Sequence, residues 1–312
     1  MSEFKIGKIV KGLGGLYITR VAENDGKALY TTRAKGILKR DEEKLLVGDT
    51  VRLLIDEAVE GGAVISELLP RSNELIRPPL SNLDYLFIVF SARKPQPQLE
   101  TVDKLIAIAE HNGITPVAVI TKADTDPSYA SELSEIYKKA GFDTFLTSSK
   151  TGEGKDELSE YIKNNVKDGR TAAFAGASGV GKSTLMNALF PSLTLATAEI
   201  SRKIERGKHT TRHVEIFDIS DSADTGFLAD TPGFSLLDFE RFDFFDSEEL
   251  FPTFRDFASY SGKCKYADCS HVGESKEECA LALAAEEGKI SKSRLESYRS
   301  IWRTLKAKKK YD

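Results

Sequence analysis

Gly176, Ala177, Ser178, Gly179, Val180, Gly181, Lys182 and Ser183 fit G-x-x-x-x-G-K-[ST] in full. Glycines at this spacing let backbone N–H groups turn inward around phosphate oxygens. The N-terminus of a following helix adds positive partial charge. Lys182 would reach the outer phosphates, Ser183 would place its hydroxyl on Mg²⁺, and Thr184 opens the helix. A strand-like run, TAAFAG, precedes the loop and a helical run, STLMNALF, follows it. That setting separates the motif from a chance glycine-rich turn. Asp230-Thr231-Pro232-Gly233 closes another apolar run, GFLA. Alone it is good turn chemistry. Beside a phosphate loop, Asp230 is placed to hold Mg²⁺ through water and the Gly233 amide to meet the terminal phosphate.

Thr121-Lys122-Ala123-Asp124 ends the apolar run ITPVAVI. Asp124 has the chemistry to accept two hydrogen bonds from a guanine edge, and the stem of Lys122 can lie over the base. Adenine offers no such donor pair, so a carboxylate left unpaired against it discriminates the two bases. Ser148 and Ser149, in the stretch TSSK, end the next strand-like run, where GTPases carry a base-supporting loop. In ordinary GTPases the phosphate loop comes first and the base reader later; here the order is reversed. In an open α/β sheet, ligands bind at the carboxyl ends of strands, whatever the order of those strands in the sequence. Cutting such a sheet after the DTPG strand and joining the old ends gives this order, so the sequence reads as a circularly permuted GTPase.

Many GTPases place a water-orienting glutamine just after D-x-x-G. Phe234 stands there, and a phenyl ring cannot orient water. RGKHTTR, residues 206–212, occupies the place of the first switch. Thr210 or Thr211 would reach Mg²⁺ and the terminal phosphate, and His209 would position or deprotonate water.

All three cysteines lie between positions 264 and 279. A tight cysteine cluster in a reducing compartment points to a metal rather than to disulfides. Cys264, Cys269, His271 and Cys279 make a closed Cys₃His set for a structural Zn²⁺, with no position left for a catalytic water.

These residues need elements to hold them. Residues 1–71 contain short β-type runs broken by turn signals, which predicts a small β-barrel, by preference of the five-stranded OB type. Residues 72–240 alternate strand-like and helical runs, the pattern of a parallel sheet covered by helices. Residues 241–312 carry an aromatic and acidic segment, the cysteine cluster and a helical tail. The expected fold class is therefore multidomain α/β: a β-barrel, a permuted P-loop GTPase sheet, and a mainly helical zinc-binding domain. The net charge of −4 over 312 residues excludes a molecule that is basic throughout, so nucleic-acid contact must come from a local patch. Arg33, Lys35, Lys39 and Arg40 cluster around one loop of the barrel. The stretch from Lys289 to Asp312 holds nine Lys/Arg against two Asp/Glu, a second candidate for phosphate contact. The apolar runs fall far short of the ~20 residues that cross a bilayer, and the first residues lack the pattern of a signal peptide. A cytoplasmic protein without a membrane partner is expected.

The permuted order, GASGVGKST, RGKHTTR, DTPGF, the leading β domain and the trailing cysteine/histidine cluster together resemble the bacterial ribosome small subunit-dependent GTPase family. The resemblance covers nearly the whole chain. It implies an OB-fold, a permuted GTPase domain using Mg²⁺ with GTP and GDP, and a C-terminal zinc domain. It further implies rRNA binding on the small ribosomal subunit, late maturation of that subunit and subunit-stimulated hydrolysis, and it points to His209 as catalytic; a monomer is expected. Two departures stand out. The family's base loop begins with Asn, here Thr121. Its gap between the histidine and last cysteine is shorter than the seven residues found here. A GTP-regulated RNA-binding adaptor with incidental hydrolysis is the alternative.

Overall fold

Alternating buried and exposed residues close the N-terminal strands into a barrel. The computed structural model describes residues 3–23, 26–35, 44–56, 59, 61–76, 78–191, 214–220, 225–230 and 246–307. Strands β1 (Glu3–Leu13), β2 (Leu16–Glu23), β3 (Gly26–Ala34), β4 (Thr50–Ile55) and β5 (Gly62–Leu68) follow in order. β1 pairs antiparallel with β2 and with β4, β2 with β3, and β4 with β5, while β3 runs parallel to β5. The strands thus close as β1-β2-β3-β5-β4-β1, the OB arrangement, which leaves few free edges. Ile9, Val51, Leu53 and Ile65 fill the interior with no measurable exposure. Inside, the Thr19 and Thr32 hydroxyls bond each other at 2.9 Å.

The proline-bearing stretch after β5 reads in sequence as a linker, yet it is ordered against the barrel. β6 (Glu74–Leu75) pairs with β7 (Leu80–Ser81), and Leu75, Leu80 and Leu83 are buried. The fully buried carboxylate of Asp49 anchors it. Asp49 accepts from Arg71 Nε at 2.7 Å and Nη2 at 2.8 Å, from Ser81 Oγ at 2.6 Å and from the Leu46 amide at 2.7 Å. A buried charge with all its oxygens satisfied is tolerated where a bare one is not.

The described residues fall into two compact units. The first holds the barrel and segments within Glu157–Phe174 and Ser183–Phe234. β11 (Thr171–Ala175) runs parallel to β13 (Phe227–Asp230), and β12 (Glu215–Asp218) pairs antiparallel with β13. β12 also meets β1, at Lys11↔Glu215. Helices α3 (Lys155–Asn165) and α4 (Lys182–Leu189) complete this part.

The second unit is built on β8 (Tyr85–Ser91), β9 (Thr115–Thr121) and β10 (Thr144–Leu146), with β9 between the other two and parallel to β10. Nearly every residue of β8 and β9 is buried, as befits strands covered on both faces. Helix α1 (Leu99–His111) turns Val102, Leu105, Ile106 and Ala109 inward. Helix α2 (Pro127–Lys139) starts with proline and is capped by Asp126, which accepts from the Tyr129 amide at 3.2 Å.

C-terminal helices α5 (Ala280–Glu286) and α6 (Lys292–Ala307) pack with Phe254, Phe257 and Leu250 against Ala107 and Ile108 of α1. Here the basic tail needs a correction. Arg294 is fully buried and cannot face a phosphate. It donates to Asp103 at 2.6 Å and to Asp256 at 2.6 and 3.3 Å, with its guanidinium 4.5 Å from the Phe254 ring centre. Removing Arg294 would leave two buried carboxylates without their partner, the costly case for a buried ion pair. Among the described residues, no helix is long and apolar enough to cross a membrane.

Candidate nucleotide site and metal centre

The phosphate loop leaves the end of β11 at Gly176, whose φ is +147°. A Cβ there would lie 2.0 Å from the Val89 carbonyl oxygen, so only glycine lets the loop approach that carbonyl this closely. Ala177, Ser178 and Gly179 are exposed along the rim, and Val180 is buried beneath it. Lys182 Nζ donates to the carbonyls of Gly176 at 2.5 Å and Ala177 at 3.0 Å. Burial lowers its pKa. Ser183 and Thr184 follow in the first turn of α4, both exposed.

The base loop is fastened to the phosphate loop twice. The Thr121 hydroxyl, at the end of β9, donates to the Val180 carbonyl at 2.5 Å. Lys122, in the left-handed region at φ +55°, lays its side chain across the loop and donates to Gly179 O at 2.8 Å. Ala123 follows, buried, its amide donating to Thr147 O at 3.1 Å. The Ser148 hydroxyl donates to Asp124 Oδ1 at 2.6 Å. The same Ser148 oxygen accepts from the amides of Lys150 and Thr151, both at 3.2 Å. This orients one edge of the Asp124 carboxylate and leaves its other oxygen for a ligand. Ser149 is exposed beside it.

The second unit thus brings Thr121, Lys122, Ala123, Asp124, Ser148 and the loop from Gly176 to Lys182 together. Asp230 ends β13 in register with Glu215. His209, Thr210, Thr211 and Gly233 lie outside the described residues. One wall escaped the sequence reading. Lys122 Nζ also donates to Lys94 O at 2.6 Å, and Arg93 pairs with Asp126 at 2.8 Å. The stretch 92–98 therefore belongs to the site, and its position just past the end of β8 was the available signal.

Residues 68–240 match the family model for the RsgA GTPase, and residues 6–63 match that for the RsgA N-terminal domain. The chain belongs to the RsgA GTPase family. It is a GTP-hydrolysing enzyme with a permuted order of motifs. It is 38% identical over 313 residues to a small ribosomal subunit biogenesis GTPase of Agathobacter rectalis, spanning 98% of this chain and 99% of that one. The Bacillus subtilis protein of the same name is 39% identical over 308 residues, covering 97% and 98%. Among solved structures, YjeQ from Thermotoga maritima superposes with a TM-score of 0.81 at 30% identity, covering 98% of this chain and all of that one. YloQ, described as a circularly permuted GTPase, gives 0.77 at 33% identity, covering 97% and 96%.

The metal-ligand cluster lies in the same unit as the base loop. The ligand atoms of Cys264, Cys269, His271 and Cys279 all fall within 4.8 Å of one another. His271 Nδ1 stands 3.4, 3.5 and 3.4 Å from the three sulfurs in that order. One ring proton cannot serve three sulfurs. A tetrahedral zinc with bonds of about 2.3 Å to sulfur and 2.0 Å to nitrogen spaces its ligands by roughly 3.5–3.8 Å, so the set fits a cation. Burial pushes the Cys269 thiol up to about 12 and raises the Cys279 thiol as well. A bound cation reverses this by stabilising the thiolates. The site is held from outside: the Phe251 ring stacks on His271 at 5.0 Å, Arg299 Nε donates to His271 O at 2.9 Å, and the Ala280 amide donates to Cys264 Sγ at 3.3 Å. His271 itself sits at φ +64°, a conformation that such supports must hold.

Of the residues expected to meet RNA, Arg33 and Lys35 are exposed. Lys39 and Arg40 lie outside the described residues.

Proposed function

We propose that this GTPase docks on the small ribosomal subunit through rRNA, acts late in its maturation, and couples hydrolysis to release. The observation that carries the nucleotide half is a pair of contacts in one loop, Ser148 to Asp124 and Thr121 to Val180, which tie a guanine reader to a phosphate loop. The ribosomal half rests on relatives whose names describe them as small ribosomal subunit biogenesis GTPases.

Asp124 reads guanine N1–H and N2–H₂. Lys122 covers the base, with Ala123, Ser148 and Ser149 around it, and Thr121 braces the loop. Amides from Gly176 to Gly181 and Lys182 cradle the phosphates. Ser183, with Thr184 behind it, would hold Mg²⁺, joined by Asp230 through water and by Thr210 or Thr211; Gly233 would meet the terminal phosphate. Bound Mg²⁺ neutralises charge on the phosphates. His209 positions the attacking water in place of the glutamine that Phe234 displaces. Zn²⁺ at Cys264, Cys269, His271 and Cys279 is structural. The working protein is a cytoplasmic monomer with domains at 1–71, 72–240 and 241–312. GTP hydrolysis measured with and without small subunits, over a range of salt, tests this. Strong stimulation that fades with salt is expected. A rate indifferent to the subunit would remove the ribosomal reading and leave the GTPase.

A further inference from the structure

In the sequence RGKHTTR is separated from Glu215 by His213 and Val214, and TPG follows Asp230 directly. Glu215 and Asp230 are register partners, the pair that ends the β12–β13 hairpin. The two expected switch segments thus flank, in the sequence, the two strands that this cross-strand pair joins. The barrel holds that pair. Lys11 is the register partner of Glu215 on its other side, and Lys11 Nζ donates to both Glu215 oxygens, at 3.0 and 2.9 Å.

This contact depends on a bulge. On β1, Lys8 stands opposite Arg20 and Ile9 opposite Thr19, but Lys11 stands opposite Ile18, so Val10 is the extra residue. Strict alternation would put Lys11 on the face of buried Ile9. The bulge turns it to the face of Lys8 and Arg20 instead, as bulges re-aim side chains. The same edge of β1 serves β4 through Lys8 and β12 at Lys11. The far end of β12 is tied as well. Asp218 pairs with Arg20 at 3.0 Å and Lys27 at 2.8 Å, so the strand is gripped by β1, β2 and β3.

We propose that Lys11 and Glu215 are positioning residues for the GTPase reaction: their ion pair fixes the strand pair that ends in Asp230 and passes the state of the barrel to that residue. The part concerning the barrel's partner rests on the ribosomal reading above; the part concerning Asp230 and Mg²⁺ does not. K11M, E215Q and the exchange K11E/E215K test it, in the full-length protein. The first readout is the Mg²⁺ concentration that half-saturates binding of a fluorescent GDP, with urea unfolding beside it. K11M leaves a carboxylate unpaired near Asp230 and E215Q removes one, so a purely local charge effect moves them in opposite directions. The proposal requires both to need more Mg²⁺, about threefold, the scale of one cross-strand charge pair, and requires the exchange to restore it. Opposite shifts, no shift, or an exchange that restores only the urea midpoint overturns it. The second readout is stimulation by small subunits, expected to fall in both single variants and return in the exchange. If the native protein shows no stimulation, the ribosomal reading falls while the Mg²⁺ titration still decides the role of the pair.

Discussion

The Thr121 hydroxyl donates to the Val180 carbonyl at 2.5 Å, joining the end of the base-reading strand to the floor of the phosphate loop. An asparagine at this place would offer two donors; threonine offers one. The Phe90 carbonyl lies farther off, at 3.3 Å, so the single proton is committed to Val180. Thr121 therefore braces the two loops against each other with its one donor.

Thr121→Val keeps the shape and removes the proton. It leaves the Val180 carbonyl unpaired in a buried place, a loss of about 1 kcal/mol that corresponds to about five- to tenfold weaker GDP binding. Thr121→Ser keeps the donor and should bind close to normally. Equilibrium titration with fluorescent GDP reads both. Equal binding by Thr121→Val and the native protein would mean that the loops hold each other without this bond.

Asp124 has one oxygen tied to Ser148 at 2.6 Å. Asp124→Asn replaces an acceptor with a donor toward the guanine edge. GDP affinity should fall on the order of 10²-fold, and xanthosine diphosphate, which presents an acceptor there, should recover most of it. Ser148→Ala should cost less, because it frees the carboxylate without removing it. Undiminished GDP binding by Asp124→Asn would place the base elsewhere.

Removing the metal should unfold the surroundings of His271 first. Metal analysis of the purified protein is expected to find one zinc per chain. A chelator strong enough to take it should strip hydrogen-exchange protection from α5 and α6, while amides of the barrel strands keep theirs. Structural zinc sites supply folding energy outright. Ala107 and Ile108 share the core of these helices, so the loss should spread into α1. Protection that survives chelation would show a core stable without the ion.

What the sequence made legible was local. The phosphate loop, the base loop and the cysteine set each declare themselves within a few residues, and the strand-end rule gathers the first two. The barrel was legible as short β-type runs between turn signals. What stayed hidden depends on partners far along the chain. Arg294 reads as one more cation of a basic tail until Asp103, 191 residues away, closes on it. The proline-rich stretch after β5 reads as a linker because Asp49, which anchors Arg71 and Ser81, looks like any surface acid. Lys94 donates no side-chain signal at all; it is its carbonyl that Lys122 finds.

Lys8 offers a test of burial through pH. Its ammonium donates to Gly169 O at 2.6 Å and Thr171 Oγ1 at 2.8 Å and lies 4.9 Å from the Phe227 ring centre. Burial, aided by the nearby charge of Arg20 and opposed by Asp84, still lowers its pKa from 10.5 to about 8. A lysine depressed by folding binds its proton more weakly in the native state than in the unfolded one. Below pH 8 both states are charged and the cost of burying the charge is fully present. Between pH 8 and 10.5 the unfolded chain keeps a proton that the native protein has shed, so stability rises with pH in that window. Lys8→Met lacks the titrating group. The stability of the native protein relative to Lys8→Met should therefore improve by about 1–2 kcal/mol between pH ~7.5 and ~9.5, less than the full conversion because Lys8 keeps some contact with solvent. Urea unfolding of the two proteins at both pH values measures it, and groups common to both cancel in the difference. A difference that does not change with pH would mean that the two hydrogen bonds and the ring hold the ammonium charged throughout.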